Sequence, residues 1–94
     1  MKATHARNAI ALADIPNIGP AMVCDFHMLG IVEPNDLKDK DPYTLYKKLC
    51  TLTGVRQDLC VLDTFIAAVD FMNGAPARPW YWYTKGRKEK YGVL

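Results

Sequence analysis

The sequence predicts an all-α fold: a helix-hairpin-helix, SAM-like bundle of about four main helices with a docked aromatic C-terminal arm. Apolar residues recur at helical spacing through the first three quarters of the chain, and Gly and Pro break the pattern where helices should stop and start. No stretch alternates cleanly at period two before residue 80. With 94 residues, half of them hydrophobic and 23% charged, the chain has a core's worth of apolar residues for one domain, which excludes a multidomain enzyme and a disordered or collagen-like chain.

The first helix is expected from Thr4, as N-cap, to Ala13, followed by a tight turn over Asp14–Gly19. The second opens with Pro20 at its first position, where the missing N–H costs nothing, and stops before Gly30. Between Glu33 and Asp41 the composition allows one short helical turn around Asp36–Lys38. Asp41 then caps a third helix that starts at Pro42, carries Leu45, Leu49 and Leu52 on one face and ends at Gly54. Asp58 caps the fourth, which runs to about Met72. Leu62, Phe65, Ile66, Val69 and Met72 form one of its faces, and Cys60, Ala67 and Phe71 form a second strip nearly opposite, so this helix wants burial on both sides. Asp63 and Asp70 point the same way, as a solvated edge or as salt-bridge partners, with no base or nucleophile near them to suggest catalysis. Residues 1–74 therefore make the helical domain and 75–94 the arm, stiffened by Pro76 and Pro79, with the end beyond Gly86 expected to be disordered. No internal repeat is visible.

Charge is unevenly placed. Residues 71–94 hold Arg78, Lys85, Arg87, Lys88 and Lys90 against Glu89 alone, whereas residues 11–46 hold Lys38 and Lys40 against six acids. Neither a signal peptide nor a membrane span is readable, which predicts a cytoplasmic protein, and the odd number of cysteines, three, predicts reduced thiols.

Ile15-Pro16-Asn17-Ile18-Gly19-Pro20, followed by the Met22, Val23, Phe26 and Leu29 face and Gly30, resembles the helix-hairpin-helix motif of DNA repair and recombination proteins, with Asn17 in place of the motif's first Gly. Asn suits that place because it tolerates positive φ better than most residues with a Cβ. The resemblance implies phosphate binding by main-chain amides at the second helix's N-terminus, with Asn17, Ile18, Gly19, Ala21 and Met22 as the contacting segment. It also implies a monovalent cation on the carbonyls of Ala13, Ile15 and Ile18. A longer pattern includes Asp41-Pro42, Leu49-Cys50, Thr53-Gly54-Val55-Arg56-Gln57-Asp58, Gly74-Ala75-Pro76 and Pro79-Trp80, and is similar to the small bacterial Cdd1 or pathogenicity locus family, some of whose members carry mitomycin resistance names.

Two rival constellations compete with the hairpin. Cys24, His27, Cys50 and Cys60 allow a Cys₃His zinc site on paper, but the spacing is not a zinc signature and thiols of this kind are by default core residues. Trp80-Tyr81-Trp82-Tyr83 with its neighbouring cations has the pattern that stacks single-stranded nucleic acid, although such a segment more often docks on a core, here with Trp80 and Trp82 inward and Tyr81 and Tyr83 outside. The function expected is a non-enzymatic, sequence-independent, weak DNA-binding accessory, in which the hairpin is joined by Arg78, Lys85, Arg87, Lys88 and Lys90. No phosphate loop or nucleophile with base is present to support an enzyme. The alternative is a protein-interaction module or homodimer with a structural hairpin, its second apolar strip of Cys60, Ala67 and Phe71, with Cys24 and Met28, covered by a partner.

Overall fold

The computed structural model describes residues 2–92, which form four α-helices and several 3₁₀ turns, with no strand among the described residues. Helix α1 spans Pro20–Met28, α2 Pro42–Thr53, α3 Leu59–Met72 and α4 Thr84–Tyr91. The boundaries of α1, α2 and α3 follow the local signals. Pro20 and Pro42 open α1 and α2, the Asp41 and Asp58 carboxylates accept from the amides of Thr44 and Cys60, and Gly54 ends α2 at φ +69°, where a Cβ would be strained. The short turn is Pro34–Leu37. Phe26 of α1 stacks on Phe65 of α3 with ring centroids 5.1 Å apart, and around them Ile15, Ile18, Leu37, Leu49 and Leu62 are fully buried.

The N-terminal segment and the arm both depart from expectation. The segment Thr4–Ala13 is not a helix but two 3₁₀ turns, Ala6–Asn8 and Leu12–Asp14. The Asp14 carboxylate accepts from the amides of Ile10 (3.1 Å) and Ala11 (2.9 Å), a local bonding pattern that competes with helix continuation. These bonds hold its pKa below the usual carboxylate range. The arm, expected to lose order beyond Gly86, instead forms a 3₁₀ turn over Trp80–Tyr83 and then α4 to Tyr91, while residues 93 and 94 lie outside the described residues.

The structure also contains a repeat that the sequence conceals. Shifted by 22 residues, Asp14, Asn17 and Pro20 fall on Asp36, Asp39 and Pro42. Asp36 accepts from the amides of Val32 and Glu33 as Asp14 does from Ile10 and Ala11; Asn17 and Asp39 both have positive φ, 73° and 61°; and Pro20 and Pro42 each begin a helix. The buried apolar residues Ile15 and Leu37 also correspond. Aligned in this way the two segments share few identities beyond Asp and Pro, so the repeat is one of backbone geometry and burial.

Docking of the arm is decided by α3. Asp63, on the stripe expected as a solvated edge or as salt-bridge partners, is 1% exposed and forms a two-point ion pair with Arg87: Nε donates to Oδ1 at 2.8 Å and a terminal nitrogen to Oδ2 at 3.2 Å. The Thr84 hydroxyl adds a 2.8 Å bond to Oδ2. Seven residues on, Asp70 accepts from the Tyr83 hydroxyl at 2.7 Å and lies 3.6 Å from Arg78. Burial, and then the bond to Asp70, raises the Tyr83 pKa. On the second strip of α3, Ala67 and Phe71 are buried, Phe71 as part of the main core, and Cys60 is half-buried. Tyr81 is exposed as expected, but Tyr83 is buried and Trp80 and Trp82 are exposed, because a 3₁₀ turn repeats at three residues and not at two.

Candidate nucleic-acid interface

The Asp14–Gly19 turn carries Asn17 in the left-handed region and passes into α1 through Gly19, which is extended at φ −101° and ψ −177°. As N-cap of α1, Gly19 offers no side chain, and the amides of Asn17, Gly19, Ala21 and Met22 have no acceptor among the described residues. Ile18 departs from expectation as a contact residue, being buried with its amide bonded to the Ile15 carbonyl at 3.2 Å.

The second copy of this geometry is closed. Asp41 stands where Gly19 stands in the first, and its carboxylate accepts from both the amide (3.2 Å) and the hydroxyl (2.6 Å) of Thr44. The Asp39 amide, equivalent to that of Asn17, donates to the Asn73 side chain at 3.0 Å. The hydroxyl bond of Thr44 chiefly holds the Asp41 pKa down, so at neutral pH this helix start carries its own anion. In the second copy two of the four equivalent amides, those of Asp39 and Thr44, are taken by side-chain acceptors, whereas the first copy leaves all four open.

Two basic residues are tied to that turn, Arg78 by its main chain and Lys2 by its ammonium. Asn17 Nδ2 donates to the Arg78 carbonyl at 2.8 Å, and its Oδ1 accepts from the Trp80 amide at 3.3 Å, which fastens the arm to the turn. The Arg78 guanidinium lies 4.1 Å over the Trp82 ring. The second cation is Lys2, which no pattern in the sequence marked. Its ammonium donates to the Ala13 carbonyl at 2.6 Å and to the Ile18 carbonyl. Since Ile15 O accepts from Ile18 N, each of the three carbonyls expected to hold a monovalent ion already has a donor within the chain. The Lys2 ammonium thus occupies two of the three carbonyls at which the resemblance places the ion.

Lys2→Met is therefore expected to lower stability on the order of 1 kcal/mol, since these charge-assisted bonds are largely solvent-exposed, and to lower the melting midpoint by a few degrees. The variant's midpoint, unlike that of the parent, should rise when K⁺ replaces tetramethylammonium at constant ionic strength. Parent-like melting in both salts would contradict the role given to Lys2.

Of the other basic residues, Lys85, Lys88 and Lys90 are exposed on α4, whereas Arg87 is buried with Asp63, whose hydrogen bonds raise its pKa. Arg87 therefore leaves the expected contact set. Cys24 is exposed and Cys50 and Cys60 are half-buried, all three as free thiols, and no metal-ligand cluster occurs among the described residues. None of the described helices is long and apolar enough to cross a membrane.

A model of the pathogenicity locus family, Cdd1, matches residues 5–89. The chain belongs to this family. Over 77 residues it is 43% identical to the mitomycin resistance protein McrB of Streptomyces lavendulae, a match covering 82% of this chain and 73% of the relative. No solved structure matches it. The Cdd1 match takes in the open turn, the Asn17 anchor and the Asp63–Arg87 pair, and begins after Lys2.

Proposed function

We propose that this Cdd1 family member is a non-enzymatic, sequence-independent DNA-binding accessory protein that holds the phosphate backbone at the Asn17–Met22 turn. The observation that carries this reading is the contrast between the two copies: Asp41 caps the second helix start with a carboxylate, and Gly19 leaves the first uncapped. Amides at a helix start bind phosphate without reading bases, and Lys2, held on the Ala13 and Ile18 carbonyls, adds positive charge to the turn. The protein-interaction alternative is less favoured, because Ala67 and Phe71, central to the strip it required, are buried within the chain.

Gly19→Asp is the direct test. The backbone there suits any residue and a Cβ meets nothing within 4 Å, so the variant should fold at least as stably as the parent, now with an internal N-cap. Its affinity for a labelled duplex at low salt, read by fluorescence anisotropy, is expected to fall at least about tenfold through competition and repulsion. Undiminished affinity in the folded variant would remove the turn from the binding surface.

A further inference from the structure

We propose that the groove between α4 and α3 receives an unstacked base of a single-stranded nucleic acid, with the lysines of α4 on the flanking phosphates. The inference deepens the reading above and rests on it for the class of ligand. The groove has a volume of about 500 Å³, the size of a small-ligand site, and Pro42, Ile66, Trp82 and Tyr91 give it an apolar, largely aromatic lining. Lys85 and Lys90 line it as well, with Glu89 as the one acid among its lining residues. Arg87, also part of the wall, is neutralised by Asp63, so the free positive charge belongs to the exposed lysines.

Trp82 is 57% exposed and Tyr81 66%, an unusual exposure for large rings in a chain with a complete core. Rings beside cations bind single strands by stacking with the bases while the charges follow the backbone, whereas in a duplex the base faces are already stacked and out of reach. An apolar peptide would fill the same lining but leave the lysines without partners.

Arg78 links this groove to the open turn. Its carbonyl accepts from Asn17 and its guanidinium, 3.6 Å from Asp70, lies over Trp82, so a single residue joins the turn to the ring.

Gly86 lines the groove, lies within α4, and would meet nothing within 4 Å if given a Cβ. Gly86→Phe therefore narrows the groove while favouring the helix. Trp82→Ala removes the exposed ring and serves as the second variant. The experiment measures anisotropy of labelled oligo-dT and of a duplex of equal length, together with quenching of tryptophan fluorescence, on the full chain. The parent is expected to prefer oligo-dT by at least about fivefold, the least that one stacked base contributes. Both variants should lose that preference and keep their duplex affinity, and Trp82→Ala should lose the quenching. Equal affinity of the parent for the two oligonucleotides, binding of neither, or a preference that survives both variants overturns the proposal. Preference for oligo-dT that is lost in Gly86→Phe but untouched by Gly19→Asp keeps the groove and overturns the turn instead.

Discussion

Asp63→Ala is expected to destabilise the protein by about 3–5 kcal/mol, the cost of leaving a buried partner charge without its counterion. Arg87 is 7% exposed and its guanidinium reaches both carboxylate oxygens, so removal of the carboxylate strands a charge in the interior. Against a typical total of about 5–15 kcal/mol, such a loss detaches the arm or unfolds the domain. The α4 helix is the sensitive element. It has eight residues, too few to persist alone, includes Gly86 and is held by Arg87 and Thr84 to one carboxylate. The double change Asp63→Leu with Arg87→Met is expected to recover most of the loss, since an apolar pair of similar size avoids the desolvation that the ions carry. Urea denaturation of the two single variants and the double variant, with helicity followed by circular dichroism, measures this. A single-variant loss below about 1 kcal/mol, typical of exposed pairs, would mean that the pair is solvated.

The second large effect is expected at Asn17, where one side chain serves two purposes. Asn17→Ala should destabilise by about 2–3 kcal/mol, from two hydrogen bonds at roughly 1 kcal/mol each and the poorer tolerance of Ala than Asn for positive φ. Asn17→Gly removes the bonds and relieves the strain, so its loss should be smaller by about 1 kcal/mol. Both variants release Arg78 and Trp80 from the turn, so tryptophan emission should shift to the red in each while only their stabilities differ. Equal losses for Ala and Gly would show that the backbone strain contributes nothing. An Ala variant as stable as the parent would show that the arm is held by α3 alone.

The open turn was legible in the sequence in its chemistry and incomplete in its surroundings. Asn17 in place of glycine signalled positive φ, and Pro20 after Gly19 signalled a helix start with free amides, because both are properties of one residue and its immediate neighbours. That Gly19 leaves this site open while Asp41 closes its counterpart was not visible, since the 22-residue repeat shares geometry and few identities. Lys2 gave no signal either, as nothing local brings an N-terminal lysine to carbonyls 11 and 16 residues away.

The all-α class, the starts and ends of α1, α2 and α3, and the two-sided burial of α3 follow from local signals, because caps, prolines and helical periodicity act within a few residues. Packing between distant segments set the remaining features. It replaced the N-terminal helix with 3₁₀ turns held by Asp14, gave the basic tail a helix, turned Tyr83 inward and Trp82 outward, and took Arg87 from the surface into a pair with Asp63. Each of these outcomes depends on a partner elsewhere in the fold or on a carboxylate competing for main-chain amides. A short polar segment such as α4 has no preference strong enough to decide its own structure, so the carboxylates of α3 decide it.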